Sequence, residues 1–176
     1  CRDIAQKFNN DYKIENFFIV PEPLIKKEFS RIMSLKDGLK KMSKSEVSDL
    51  SRINLTDDKD QIINKIKKAK TDTLPLPSKI EELEKRPEAK NLIGIYSSLM
   101  NNTLQKSIDE FAGKNFSEFK EKLSEVVINE INPISLKIKE LLDDKVFLEK
   151  ILKDGYEKAN EIASKKIKKI HEIVGF

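Results

Sequence analysis

The 176-residue chain has room for one ordinary domain, or for a small domain with part of another. Charged residues make up 36% of it and only five residues are glycine, which favours exposed amphipathic helices over buried or turn-rich sheets. The net charge of +4 permits contact with a polyanion without requiring it. One cysteine and one histidine exclude a disulfide framework and a structural zinc site, and no apolar run reaches the roughly 20 residues of a membrane span, so we expect a cytoplasmic protein.

The first residues have helical periodicity. Ile4 and Phe8 lie one turn apart, and Asn9-Asn10 is a stop signal. No residue before Cys1 offers an N-cap and no initiator Met is present, which predicts that the chain is cut from a longer protein. An ordinary frayed terminus is the alternative.

The next segment predicts extended structure. Residues 17–25 are apolar and contain two prolines, which push their preceding residues away from helix. Residues 29–35 then alternate loosely and end at the turn signal Asp37-Gly38, so they predict a short strand. The sequence shows no second strand, and the pairing partners are expected in a segment outside the chain.

The rest of the chain predicts helices. The first begins with the acidic turn at Thr56 and ends in lysines near Lys70, the order that the helix dipole favours. A proline-containing connector over 71–90 includes a short helical stretch at 80–85. A helix over 91–100 follows, and a further short helix is capped by Asn102 and ends near Gly113.

Two longer helices complete the chain. The first has a stripe from Phe116 to Leu141, and Pro133 inside it is expected to kink the helix without ending it. The second runs from Leu148 to Val174, and the small residues in its middle predict close approach to another helix. Tyr96 and Tyr156 lie among apolar neighbours and are predicted to be core residues rather than platforms for bases.

One motif carries chemistry. Lys41-Met42-Ser43-Lys44-Ser45 follows the predicted strand by one turn. Two ammonium groups on flexible stems, with hydroxyl groups beside them, can stabilise the charge that develops on a departing pyrophosphate. A Lys/Ser pentapeptide in a lysine-rich protein is weak evidence alone, and a solvated loop is the alternative.

The motif and its flanks together resemble the bacterial-type tryptophanyl-tRNA synthetases, which are class I aminoacyl-tRNA synthetases. The resemblance extends over nearly the whole chain. It rests on the pentapeptide KMSKS and on similar segments at 2–9, 20–25, 31–35, 53–58, 65–72, 86–92, 95–96 and 119–120.

The resemblance implies specific site residues. Lys41, Ser43, Lys44 and Ser45 would contact the phosphates of ATP, with Lys41 and Lys44 as the catalytic pair. Met42, largely through its backbone, and Ile32 would border the adenine, and Mg²⁺ would accompany the nucleotide. Two departures affect fine loop geometry, since Glu46 replaces a usual Asp and Glu28-Phe29-Ser30 replaces a usual Gly-Ala.

The resemblance also implies an architecture and partners. The expected fold is mainly α, with residues 1–52 as the C-terminal remnant of a Rossmann-type catalytic domain and residues 53–176 as a helical anticodon-binding domain. Tryptophan, tRNA(Trp) and a homodimer partner would engage the full-length enzyme. The tryptophan pocket would lie in an absent N-terminal half, so the chain alone is expected to be inactive.

The tRNA-contacting residues are not identified by the resemblance. A lysine cluster near the C-terminus, formed by Lys165, Lys166, Lys168 and Lys169, could meet phosphates, although a solvated helix end is the simpler interpretation. His171 and Cys1 are not expected to be catalytic. The functional alternative is a helical RNA-binding or scaffold module whose loop matches by accident.

Overall fold

A computed structural model describes residues 1–24 and 30–176, and it is mainly helical, as the composition predicts. The described residues form two compact units, residues 1–24 with 144–176 and residues 30–143. The six α-helices among them are α1 (Arg2–Asp11), α2 (Lys59–Lys67), α3 (Pro87–Leu99), α4 (Leu104–Phe111), α5 (Phe116–Asp143) and α6 (Lys145–Val174). Short 3₁₀ helices lie at Asp49–Ser51 and Ile80–Lys85, the second where the sequence predicts a helical stretch.

The unit made of α1 and α6 has little core. Phe8 packs against Phe17 and Phe18 with ring centroids 5.4 and 5.0 Å apart, whereas Ile4, predicted to share its face, is 74% exposed. On α6 no residue is buried, and the predicted core residue Tyr156 is 66% exposed. A Cβ placed on Gly155 would meet no heavy atom within 4 Å, so the predicted close helix approach is absent from the described residues.

The start of α2 corrects the sequence prediction. Asp58 is the N-cap, and it forms a capping box with Gln61, so the helix begins at Lys59 and not at Thr56. Asp57 is released from the helix and turns inward, where it is buried. Ile62 and Ile66 of this helix are fully buried, since they face α5 and the rest of the core.

Two further helix starts differ from the prediction. Helix α3 begins at Pro87 rather than Asn91, because proline fits the first position, where no amide donor is needed. Helix α4 is capped by Thr103 and not by Asn102. The hydroxyl of Thr103 accepts from the Lys106 amide at 3.3 Å.

The core of the larger unit lies between α2, α3, α4 and α5. Its centre is an aromatic trio in which Phe111 and Phe119 lie 4.9 Å apart and Tyr96 stands edge-on to both. Each such side chain contributes about 2–3 kcal/mol by leaving water. Tyr96 is therefore a core residue, as predicted, and its hydroxyl donates to Glu110 at 2.9 Å.

Helix α5 runs through Pro133 without ending, as the surviving periodicity predicts. Its first half supplies the core residues Phe116, Phe119, Leu123 and Val127. Beyond the proline, Ile134 is 44% exposed, so the predicted apolar stripe is only partly covered.

The predicted lone strand is the main error. Its Phe29 lies outside the described residues, and the remainder forms one antiparallel bridge, Met33 with Lys41. The Met42 amide donates to the Ile32 carbonyl at 3.0 Å and the Ser34 amide donates to the Lys40 carbonyl at 2.7 Å. The partner is therefore inside the chain, across the turn at Gly38, and the sequence does not reveal it because a lysine pair has low strand propensity.

Candidate functional site

The KMSKS segment has a fixed beginning and an exposed tip. Lys41 belongs to the bridge with Met33, and Met42 is half-buried against the hydrophobic core. Ser43, Lys44 and Ser45 are exposed. The tip is closed on itself by a hydroxyl–hydroxyl bond of 2.9 Å between Ser43 and Ser45.

Ile32 lies beside this segment, where the sequence predicts it. Its carbonyl accepts from the Met42 amide, which brings the two residues assigned to the adenine side next to each other. Both side chains are half-buried, so each keeps part of its apolar surface available. The structure thus places Ile32 next to Met42, at the start of the exposed tip.

Helix α3 supports the turn from behind. A Cβ on Gly38 would lie 2.6 Å from the Glu88 nitrogen and 2.6 Å from the Pro87 carbonyl carbon, so only glycine allows this approach. Asn91 is buried and pairs with both polar groups of the Met33 backbone, accepting from its amide and donating to its carbonyl at 2.9 Å each. In this way Asn91 replaces a neighbouring strand for one residue.

The Glu88 carboxylate adds an electrostatic contact at the same place. Its hydrogen bond with the Lys70 ammonium, 2.9 Å long, holds the pKa of Glu88 below its usual range, and the Gly38 amide contributes to the same shift. A charged carboxylate at the first turn of α3 also suits the helix dipole. The turn before the loop is thus fixed by both packing and charge.

A polar network holds the other end of the loop. The Arg52 guanidinium donates to the Glu46 carbonyl at 2.8 Å, lies 3.1 Å from Asp49 and donates through Nε to Asn54 at 3.1 Å. The Glu46 side chain is not part of this bond, so the departure from the usual Asp leaves the backbone contact in place. The predicted departure at Glu28 and Phe29 lies outside the described residues.

Lys65 of α2 completes the network. Its ammonium lies 2.6 Å from Asp49 and 2.6 Å from Asp57, and its side chain is only 3% exposed. Asp57 also accepts from the amide and the side chain of Asn54 at 2.8 and 3.1 Å. The hydrogen bond from Lys65, with a smaller contribution from Asn54, holds the pKa of Asp49 below its usual range.

Sequence reasoning overlooked this network. Its signal was Lys65 itself, since it falls beside Ile66 and one turn after Ile62, on the buried face of the helix. A lysine at such a position needs a carboxylate partner, because an unpaired buried charge is costly. From its neighbours alone, Asp57 belongs to the acidic first turn predicted at Thr56, and this local pattern does not reveal its pairing with Lys65.

The loop's chemistry follows from its charge. Neither Lys41 nor Lys44 forms an ion pair within residues 1–24 and 30–176, so two exposed ammonium groups lie beside the hydroxyl groups of Ser43 and Ser45. Such a loop can bind an anion of high charge density and follow charge as it moves to a leaving group. Among the described residues no group of three or more His, Cys, Asp and Glu is placed to hold a metal ion.

The four C-terminal lysines lie on α6, in the other unit. Lys166 is engaged: its ammonium lies 3.7 Å from the centroid of the Phe17 ring and donates to the Phe17 carbonyl. Lys165 pairs with Glu161 at 2.9 Å in an exposed contact worth little. In the part of the chain that the structure describes, no helix is both long and apolar enough to cross a membrane.

Comparison of the sequence with known proteins identifies a matching family. The model of the family described as tRNA synthetases class I (W and Y) matches residues 1–132, which include the loop and its polar network. Proteins named tryptophan–tRNA ligase are similar throughout: those of Brucella melitensis, Caulobacter vibrioides and Rickettsia felis are 44%, 47% and 50% identical. Each alignment covers 99% of this chain but only 54%, 51% and 52% of the relative.

Solved structures of tryptophanyl-tRNA synthetases resemble this chain as well. The tryptophanyl-tRNA synthetase of Mycoplasma pneumoniae superimposes with a TM-score of 0.79 at 25% identity, over 99% of this chain and 51% of that one. The Campylobacter jejuni enzyme complexed with ADP and tryptophan gives a TM-score of 0.65 at 28% identity, over 99% and 52%. The chain therefore spans about half the length of the relatives it matches.

Proposed function

The chain belongs to the class I tRNA synthetase family for tryptophan and tyrosine, and we propose that it forms part of a tryptophan–tRNA ligase. The observation that carries this proposal is the exposed KMSKS tip on a fixed hairpin, in a chain whose relatives at 44–50% identity are named for that activity. A match over residues 1–132 is too long to arise from the pentapeptide alone. It therefore disfavours a scaffold module with an accidental loop.

The proposed reaction has two steps. A carboxylate oxygen of tryptophan attacks the α-phosphorus of ATP, the bond to the bridging oxygen breaks, and pyrophosphate leaves with the electron pair. A terminal hydroxyl of tRNA(Trp) then attacks the carbonyl carbon of tryptophanyl-adenylate and expels AMP. Both steps would take place in the cytoplasm.

The loop would act in the first step. Lys41 and Lys44 would stabilise the charge that gathers on pyrophosphate, and Ser43 and Ser45 would donate hydrogen bonds to phosphate oxygens. The 2.9 Å bond between these two hydroxyls supports this proposal, because groups that close together could bind oxygens of the same phosphate. Because the Lys41 backbone lies in the bridge, only its side chain would move towards the nucleotide, whereas Lys44 would move with the tip.

The adenine side would be formed by Ile32 and by Met42, which expose apolar surface next to each other. Stacking against such surface favours a planar base without demanding charge. Mg²⁺ would enter with the nucleotide and be held mainly by phosphate oxygens, as is usual for this hard cation.

Other parts of the ligase are proposed by family membership. Residues 1–52 would complete a Rossmann-type catalytic domain that also contains the tryptophan pocket, and residues 53–176 would hold the anticodon end of tRNA. The complete enzyme would be a homodimer. The lysines of α6 are weak candidates for tRNA contact, because Lys166 is already bound to Phe17.

The test is Lys44→Ala in a ligase of the relatives' length that contains this chain. We expect tryptophan-dependent ATP–pyrophosphate exchange to slow by about 10²-fold, corresponding to about 3 kcal/mol, as for loss of one oxyanion-hole donor. Tryptophan binding should change little, because Lys44 acts on the leaving group.

Lys40→Ala is the matched control. Lys40 is an exposed lysine four residues away whose ammonium lies 3.8 Å from Asp37, so its loss removes the same charge without touching the tip. Equal losses from the two variants, or equal losses of tryptophan binding and exchange in Lys44→Ala, would contradict a role in the transition state. A parent protein without exchange but with tRNA affinity would favour an RNA-binding module.

A further inference from the structure

The polar network behind the loop connects two parts of the chain. Arg52 closes residues 1–52, the proposed catalytic part, while Asn54, Asp57 and Lys65 belong to the proposed helical domain. A set of short hydrogen bonds runs from Glu46, next to the KMSKS tip, to the interior of α2. We infer that Arg52 is a positioning residue for the KMSKS loop, and that Lys65 links its position to α2.

The bond from Arg52 to Glu46 lies at the C-terminal end of the KMSKS tip, so it can fix the position of the tip. Glu46 directly follows Ser45, and its carbonyl accepts from the guanidinium at 2.8 Å. At the other end, the Met42 amide is held by the Ile32 carbonyl at 3.0 Å. Only Ser43, Lys44 and Ser45 lie between these two fixed backbone groups, so moving Glu46 displaces the tip directly.

The orientation of Arg52 is itself fixed. Its side chain is 17% exposed, its Nε donates to Asn54, and its Nη2 lies 3.1 Å from Asp49. Asn54 also donates to Asp49 at 3.0 Å and to Asp57 at 3.1 Å. Because the guanidinium presents its donors in one rigid plane, satisfying both partners leaves one direction for the bond to Glu46.

Lys65 makes the arrangement dependent on α2. Its ammonium bonds Asp49 and Asp57 at 2.6 Å each, and neither can keep its place if α2 shifts along its axis. A displacement of the helical domain would therefore reach the loop through Asp49 and Arg52. This coupling rests on the proposed function, in which the helical domain holds tRNA and the loop handles ATP.

Arg52→Ala, made in a ligase of the relatives' length, tests the positioning role. We expect kcat for ATP–pyrophosphate exchange to fall on the order of 10²-fold, as is typical when a reacting group is misplaced by about 1 Å. KM for tryptophan should stay within about two-fold, because Arg52 would act through a loop that is proposed to contact ATP and not tryptophan. Arg52→Lys, which can reach one oxygen but not the whole fork, should recover part of the rate.

Arg86 offers a matched control. It is 11% exposed, donates to Asp72 at 2.6 and 2.8 Å, and donates to the Pro75 carbonyl at 2.8 Å, so it makes the same kinds of bond as Arg52. Within the described part of the chain, the hydrogen bonds of Arg86 go to residues 72–75 and do not reach the loop. Arg86→Ala should lower the unfolding temperature comparably and leave kcat within a few-fold.

A second, milder variant avoids unfolding. This variant is Asp49→Asn, which keeps the shape of a side chain that is 54% exposed. Lys65→Met is less suitable, because it would leave the Asp57 carboxylate buried without its charge partner. Asp49→Asn should lower kcat by a smaller factor than Arg52→Ala, with an unchanged unfolding temperature.

Proteolysis tests the same idea without catalysis. Cleavage after Lys44 by a lysine-specific protease should be several-fold faster in Arg52→Ala than in the parent or in Arg86→Ala, because the tip has lost one of its fixed ends. Equal kcat losses in Arg52→Ala and Arg86→Ala, or unchanged kcat and cleavage in Arg52→Ala, would overturn the inference. A parent that lacks exchange would contradict the proposed function, while the cleavage rates would still decide the positioning role.

Discussion

Gly38→Ala probes the packing that carries the loop. The new Cβ would lie 2.6 Å from the Glu88 nitrogen, 2.6 Å from the Pro87 carbonyl carbon and 2.8 Å from the Pro87 oxygen. All three are backbone atoms at the start of α3, so no flexible side chain can move aside. The hairpin or the helix must shift by about 1 Å, which stretches the bonds between Asn91 and Met33.

The expected cost is about 2–3 kcal/mol of unfolding free energy, near the upper end for overpacking because the obstacle is rigid. At a urea dependence of about 2 kcal/mol per molar, the midpoint should fall by roughly 1 M. Equilibrium unfolding followed by circular dichroism measures it.

Gly155→Ala is the control, and it should change the unfolding free energy in the opposite direction. A Cβ there meets nothing within 4 Å, and the position lies inside α6, so alanine should stabilise that helix by about 0.5–1 kcal/mol. A neutral Gly38→Ala, or two variants that destabilise equally, would show that the close approach to α3 does not constrain the turn.

Two further predictions concern buried polar groups. Asn91→Ala leaves the amide and carbonyl of Met33 without partners and should cost about 2–4 kcal/mol, measured by the same urea unfolding; a loss below about 1 kcal/mol would mean that water replaces the side chain. Burial, followed by the bond to Glu110, raises the pKa of Tyr96 to about 12. Its stabilising contribution is therefore complete below the unfolded pKa near 10 and is lost as pH rises towards 12, by about 1.4 kcal/mol per pH unit. Thermal melts should show the parent losing its advantage over Tyr96→Phe across this interval, and parallel pH profiles would contradict the assignment.

Elements set by local chemistry were predictable from the sequence. The 3₁₀ helix at Ile80–Lys85 was expected there, and the passage of α5 through Pro133 followed from apolar spacing on both sides. The KMSKS loop and the turn before it were likewise evident from short motifs. These features depend on neighbours in sequence, so a sequence pattern contains what is needed to predict them.

Features set by distant partners were not predictable. The hairpin pairs Met33 with Lys41. The Asn91 side chain, 58 positions from Met33, forms the backbone hydrogen bonds that a neighbouring strand would otherwise form. Asp57 is read locally as a helix-starting acid, but Lys65 draws it into the interior. In each case a tertiary contact outweighs a propensity of a few tenths of a kcal/mol.

Another contact between residues distant in sequence involves Lys120 on α5. The Lys120 ammonium donates to the Ala69 carbonyl at 2.6 Å and to the Lys67 carbonyl at 3.2 Å, so it satisfies the end of α2. Burial lowers the pKa of this lysine. Nothing in the sequence around Lys120 identifies these acceptors, because they lie more than 50 positions away.

The two fixed ends of the loop also limit its reach. Lys44 is two residues from Met42 and two from Glu46, and consecutive Cα atoms are about 3.8 Å apart, so its Cα cannot lie more than about 7.6 Å from either. While both backbone bonds hold, the tip can sweep only a small arc. Any larger movement of Lys44 towards a nucleotide must break the bond between Arg52 and Glu46, or the hairpin and the polar network must move with the tip. The distance that Lys44 moves therefore indicates which of these bonds are kept.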